Sequence, residues 1–64
     1  MTYKVIDEIT GELLEFKNKY DAETEVERRI LIHKTGYHFS VYTVKPVKVD
    51  LKTEGKVYRI CLKK

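Results

Sequence analysis

Asp21-Ala22-Glu23-Thr24-Glu25-Val26-Glu27-Arg28-Arg29-Ile30-Leu31-Ile32-His33-Lys34-Thr35-Gly36 is the stretch on which the fold turns. Read with the 3.6-residue period, it predicts a helix over roughly 22–34. Asp21 is a good N-cap, and Glu23 and Glu25 put negative charge where the helix dipole favours it. Glu25 and Arg29 stand four apart in the favourable order. Ala22, Val26, Ile30 and His33 share one face, broadened by the aliphatic stem of Arg29. Lys34 and Gly36 suit a C-terminus. A β reading competes: Ile30-Leu31-Ile32-His33 is β-prone, Lys34-Thr35-Gly36 has the composition of a hairpin loop, and Tyr37-His38-Phe39 would return as a strand. Capping, dipole charges and spacing all agree on the helix, so the chain reads as α+β.

N-terminal to this stretch lies a hairpin. Tyr3-Lys4-Val5-Ile6 and Leu13-Leu14-Glu15-Phe16 flank Asp7-Glu8-Ile9-Thr10-Gly11-Glu12. Asp7 can accept hydrogen bonds from turn amides, and Gly11 can take the left-handed corner. With Asp7 opposite Glu12, Val5 faces Leu14, Tyr3 faces Phe16 and Lys4 faces Glu15, giving two apolar pairs and one ion pair. The weak point of that register is the acidic pair beside the turn, whose repulsion solvent would screen.

C-terminal to the helix, residues 37–44 alternate Tyr37, Phe39, Val41 and Thr43 with His38, Ser40, Tyr42 and Val44. Both sets are largely apolar, as in a strand covered on both sides. Pro46 bends or ends the sheet. Val47, Val49 and Leu51 alternate with Lys48, Asp50 and Lys52, and the chain turns near Glu54-Gly55 to return along Val57 to Leu62. Two registers compete for this last hairpin. A two-residue Glu54-Gly55 loop pairs Leu51 with Tyr58, Val49 with Ile60 and Asp50 with Arg59, but forces Glu54 towards positive φ. A three-residue loop ending in Gly55 has better turn chemistry and poorer pairs. The pairs slightly favour the first. The expected architecture is a small ββαββ-type domain, or a close variant, with an antiparallel sheet and one helix packed on a face.

Sixty-four residues make one domain, 1–64, and not two. A chain this short buries only about 60% of its unfolded surface. Cys61 is the single cysteine, so no internal disulfide forms. With His33 and His38 it falls short of the four ligands of a structural zinc site. Good packing or a homo-oligomer is then the expected stabilising route. The longest apolar run is Ile30 to Ile32, and the N-terminus lacks the apolar core of a signal peptide. The expected setting is the cytoplasm, away from membranes, with Cys61 reduced.

The sequence carries little chemistry. It has no P-loop, no dinucleotide-binding glycine motif and no nucleophile elbow. Ser40 is the only serine, and His38 lies roughly 7 Å away at the backbone if both sit on a strand, too far for a nucleophile–base contact. Asp7, Glu8, Glu12 and Glu15 cluster at the first hairpin, where turn polarity explains them better than acid–base work or a hard cation. Cys61 reads as a small buried hydrophobe; Lys56 and Arg59 nearby are not accompanied by a base. No cofactor is implied, and the chain reads as a non-enzyme.

Charge is unevenly divided. Net charge is +3, with six Lys/Arg against eight Asp/Glu in residues 1–44 and seven against two in residues 45–64. Lys45, Lys48, Lys52, Lys56, Arg59, Lys63 and Lys64 make the last third basic. Tyr42, Lys45, Lys48, Lys52, Lys56, Tyr58 and Arg59 together form a candidate partner or nucleic-acid surface. In such a surface sheet aromatics stack bases while cations track phosphates, or tyrosines anchor a protein interface. Edge strands also use lysine simply to discourage aggregation.

The stretch from Asp21 to Val47, a capped helix, then Thr35-Gly36-Tyr37-His38-Phe39-Ser40-Val41, then Val44-Lys45-Pro46-Val47, looks a little like part of some very small phage-encoded proteins, including a family of host RNA polymerase inhibitors. The likeness covers under half of the chain and departs from it at the basic second hairpin. It implies a small phage- or prophage-type modulator that works by binding a host protein. The sequence therefore carries two functional expectations: a non-catalytic protein-binding module first, and a sequence-tolerant nucleic-acid binder using the basic hairpin second.

Overall fold

A computed structural model describes residues 2–36 and 46–63. Its elements are β1 (Tyr3–Asp7), β2 (Glu12–Phe16), α1 (Lys19–Thr35), β3 (Val49–Glu54) and β4 (Val57–Leu62). The four strands form one sheet in the order β2-β1-β4-β3, and the helix packs on one of its faces. The α+β architecture with one helix on the sheet is as expected. Pairing is antiparallel within each hairpin, but the hairpins join through a parallel β1–β4 pair, so the sheet is mixed. The physical reason is the helical crossover: it returns the chain so that β3 runs in the direction of β2, and the reversal of the second hairpin then sets β4 parallel to β1. The strand expected over 37–44, with Ser40, His38 and Tyr42, lies outside the described residues.

The first hairpin has the expected register, Asp7 opposite Glu12 through Tyr3 opposite Phe16. Gly11 takes φ 83°, and the Asp7 side chain accepts from the amides of Ile9 (3.0 Å) and Thr10 (3.2 Å).

The helix is longer than the sequence reading, beginning three residues earlier. Asn18, not Asp21, is the N-cap. Its backbone is extended (φ −129°, ψ 156°), and its Oδ1 accepts from the Asp21 amide at 2.8 Å. Asn18 Nδ2 donates back to Asp21 Oδ2 at 2.8 Å. This is a reciprocal cap, with Asp21 in the third helical position. At the other end Gly36 (φ 70°) donates its amide to the Ile32 carbonyl, a left-handed C-cap. Ile30 to His33 are helical, which removes the all-β alternative.

The second hairpin differs from both registers considered. Glu54 pairs with Val57, Leu51 with Ile60 and Asp50 with Cys61, so the two-residue loop is Gly55-Lys56. Gly55 takes φ 59° and Lys56 keeps a negative φ, the arrangement of a type II′ turn with glycine first. Sliding the loop by one residue relieves the positive φ that the Glu54-Gly55 loop would have imposed. It also sets Lys52 opposite Arg59 in place of the expected Asp50–Arg59 pair.

Val5, Ala22, Val26, Tyr58 and Ile60 form the buried apolar core, with Tyr3, Ile9, Leu14, Phe16, Ile30 and Val49 packed around it. The two central strands and one helix face supply all five. Truncating Ile60 to Ala at this site costs about 2–5 kcal/mol.

Candidate functional site

Two groups of charged residues stand out, and they are built in opposite ways.

The first joins the first hairpin to the helix. Strand alternation places Asp7 on the same sheet face as Tyr3 and Val5, pointing at α1, where it is 1% exposed. The helical period places Arg29 and His33 on the face of Ala22 and Val26, and both are buried. The three meet. Asp7 Oδ2 accepts from Arg29 Nη1 at 2.9 Å and contacts His33 Nε2 at 2.9 Å. An ionised carboxylate only accepts, so His33 Nε2 donates in this contact. Arg29 also donates from Nη1 and Nη2 to the two oxygens of Glu12, each at 3.2 Å, and from Nε to Glu25. Arg28 holds Glu25 from the solvent side at 2.7 Å.

Three carboxylates thus converge on one guanidinium. The acidic pair Asp7–Glu12, which solvent was expected to screen, is bridged by Arg29 instead. The Glu25–Arg29 pair expected from their spacing forms, and the same guanidinium, whose aliphatic stem alone was expected on the apolar face, is the centre of the cluster. Burial pushes the Asp7 carboxyl up, but the hydrogen bonds from His33 and Arg29 and from the Thr10 amide outweigh it and hold the group below its ordinary range. Glu12 is lowered by the Arg29 hydrogen bond and charge. For Glu25, burial is likewise outweighed by Arg28 and Arg29. Burial acts to lower the Arg29 value, and the three carboxylates raise it further than that, so its charge is secure.

Chemically this cluster fastens helix to sheet. A shallow depression of about 280 Å³ lies over it, lined by Thr10, Arg28 and Ile32 besides the cluster. The Asp7 oxygens already accept from two turn amides and two side chains. Arg29 occupies the place a cation would take among the carboxylates. Among the described residues no group of three His, Cys, Asp or Glu side chains is arranged to hold a metal. The signal that could have revealed the cluster was in the pattern: a carboxylate in register with the apolar face of β1, and an arginine and a histidine on the apolar stripe of α1.

The second group is the basic hairpin. Of the candidate surface residues, Tyr42 and Lys45 lie outside the described residues, as does Lys64. Lys48, Lys52 and Arg59 are exposed. Lys56 is half-buried, its Nζ 5.8 Å from the Tyr3 ring centroid. Tyr58 is 6% exposed within the core, so its ring belongs to the packing and not to the surface. The reason is register: Tyr58 pairs with Val5 across the parallel seam and shares its face towards the helix.

The remaining cations stand on the sheet face away from the helix. Lys52 is directly opposite Arg59. The Lys63 amide donates to the Lys48 carbonyl at 2.9 Å, which carries the same register outward and sets Lys48 beside Lys63. Among the described residues the ion pairs all involve Arg28, Arg29 or His33; none involves a cation of this hairpin. Cys61 lies on this same face, half-buried, with Sγ 3.6 Å from the Asp50 carbonyl oxygen. Ile6 and Leu13 continue the face across β1 and β2, Leu13 being 57% exposed.

Among the described residues no helix is long and apolar enough to cross a membrane. No protein family matches the chain, and comparison with curated proteins and with solved structures gives no match.

Proposed function

We propose that this protein is a non-catalytic module that binds another protein through the cationic face of its second hairpin, and that the partner surface is acidic. The observation that supports this reading is the pairing of like charges: Lys52 opposite Arg59 and Lys48 beside Lys63, with no ion pair to any of them among the described residues. Like charges directly across a strand pair destabilise it, and an acidic partner relieves that cost. Ile6, Leu13, Val57 and Cys61 on the same face supply the apolar contact that a protein interface needs alongside charge. The likeness of residues 21–47 to small phage-encoded modulators implies the same mode of action, in the cytoplasm with Cys61 reduced. Exposed Leu31, Leu51 and Leu62 support self-association as a second element of the reading. Light scattering then gives a mass above the 7.6 kDa monomer at micromolar concentration.

The competing reading is a nucleic-acid binder. Its stacking platform loses Tyr58 to the core, and Tyr3 and Phe16 share the helix-facing side of the sheet. The test is a tagged pull-down from cell lysate, with and without nuclease, repeated with the Lys52→Glu variant. A nuclease-resistant protein partner that is weakened by Lys52→Glu is the expected result. Loss of every partner on nuclease treatment overturns the reading in favour of nucleic acid. A partner indifferent to Lys52→Glu leaves the lysines as solubilising groups.

A further inference from the structure

On the sheet face away from the helix, the charges of β3 and β4 stand in rows. Register sets Lys48 beside Lys63, Asp50 opposite Cys61, Lys52 opposite Arg59 and Glu54 opposite Val57. Successive rows are about 7 Å apart, twice the rise of a strand. Along the strands the order is therefore cation, anion, cation, anion. Lys48, Asp50, Lys52 and Glu54 are all exposed, and none of them forms an ion pair among the described residues. The chain on either side of residues 37–45 is held on the helix side of the sheet, where the Val47 amide donates to the His33 carbonyl at 3.0 Å. An alternating order of four is complementary to its own reverse. A two-fold axis lying in the face, across the strands and midway between the Asp50 and Lys52 rows, brings a second copy over the first with its strands reversed. β3 then lies over β3 and β4 over β4. Lys52 faces Asp50 of the copy and Lys48 faces Glu54, and the symmetry repeats both pairs. On β4, Arg59 faces Cys61 and Lys63 faces Val57, so no cationic row meets another.

Resting on the self-association element of the reading above, we propose that the open sheet face docks on the same face of a second copy of this chain, in this register. Charge complementarity commits the face to this occupant. Each cationic row meets a row that carries a carboxylate, which relieves the like-charge pairs that the single chain bears. Ile6 lies in the Lys52–Arg59 row and Leu13 opposite Ile6, so the apolar part of the face enters the contact beside the axis. The ion pairs form on β3, the outer strand of the sheet, and stay close to solvent. Each then contributes only a fraction of a decade in affinity, and salt weakens all of them. The dimer is accordingly weak and salt-sensitive. It covers the cationic face that an acidic partner would bind, so the dimer and the partner complex exclude one another.

The experiment is sedimentation equilibrium of the full chain at low salt, over micromolar to millimolar concentrations. It compares wild type, Lys52→Glu, Asp50→Lys, and an equimolar mixture of the two variants. Both positions are exposed, and circular dichroism checks that the fold is kept. Wild type is expected to dimerise. Either variant alone sets like charges against each other twice across the axis, and is expected to weaken the dimer about tenfold. In the mixture the introduced glutamate of one chain faces the introduced lysine of the other, and Asp50 of the first faces Lys52 of the second. Mixing is therefore expected to restore about the wild-type affinity, which a fault in folding would not do. Variants that self-associate as tightly as wild type overturn this face as the contact and leave self-association through another surface standing. Weakened variants that are not rescued by mixing overturn the two-fold register. A wild-type protein that stays monomeric throughout overturns both the dimer and self-association, and leaves the acidic-partner reading to the pull-down.

Discussion

The first hairpin with its helix and the second hairpin handle charge in opposite ways. Around Arg29 the charges close on one another: Asp7, Glu12 and Glu25 share one guanidinium, and Arg28 and His33 complete the ring. On β3 and β4 they stay open, with cation facing cation and solvent as the counter-charge. Closed charge is a fastening, because burying a carboxylate is tolerable only when donors surround it. The open face is cationic in balance, with Lys48, Lys52, Arg59 and Lys63 outnumbering Asp50 and Glu54, and because no ion pair forms there among the described residues its charges are available to a partner. The contrast separates the part of this small domain that holds it together from the part that is free to bind.

The sharpest way to break this comparison is to make the same substitution in both regions. Arg29→Met leaves Asp7 buried without its cation and is expected to cost about 3–5 kcal/mol. That is enough to unfold much of a domain whose total stability is of order 5–15 kcal/mol. Arg59→Met, on the open face, is expected to stay within about 0.5 kcal/mol. Urea midpoints measure both; similar losses at the two sites would erase the distinction. Adding Asp7→Asn to Arg29→Met should recover part of the loss, because the uncompensated charge is then gone.

A pH series sharpens the same point. In the folded state Asp7, Glu12 and Glu25 titrate below their ordinary values. In the unfolded chain they titrate near pH 4, about the usual carboxylate range. Because the folded values are the lower ones, the stabilisation is complete above the unfolded values and is lost as the pH falls through the folded ones. The stability gap between wild type and Arg29→Met should therefore hold from neutral pH to about pH 5 and narrow below about pH 4. A gap that widens on acidification would mean that the cluster does not act through its carboxylates.

Smaller effects are expected at the helix start. Asn18→Ala removes the N-cap and should cost about 1 kcal/mol. Asp21→Ala should cost less, since the Asp21 amide keeps its bond to Asn18. The reverse order in thermal or urea unfolding would return the cap to Asp21. The smallest effect is expected to have the opposite sign. Lys52→Glu turns a repulsive cross-strand pair with Arg59 into an attractive one and should stabilise the protein by roughly 0.2–1 kcal/mol. Partner affinity should fall at the same time. A variant that is more stable and binds equally well would mean that the open charges are not a binding surface.

Much of the fold was legible because it depends on neighbours in the chain. The hairpin turn at Asp7–Gly11 and the C-cap at Gly36 are local events, and residue type and period alone specify them. The cross-strand pairs of the first hairpin followed from its turn. The N-cap was misplaced because Asn18 and Asp21 are both good caps, and only the backbone path entering the helix chooses between them. The second hairpin's register slid because turn strain and pair quality pulled in different directions by amounts too close for local reasoning to separate.

What the sequence determined by itself was the set of amphipathic faces: apolar positions on β1, β2, β4 and α1 that must meet, and a surplus of lysine in the last third. Only the tertiary structure decided that β1 and β4 lie side by side in parallel, and that Asp7, Arg29 and His33 arrive at one point from positions up to 26 residues apart. The same assembly drew Tyr58 into the core. Periodicity tells which way a side chain points from its own element. Whether it meets an apolar wall, a counter-charge or water depends on which element is opposite, and that is settled only when the hydrophobic faces have closed together.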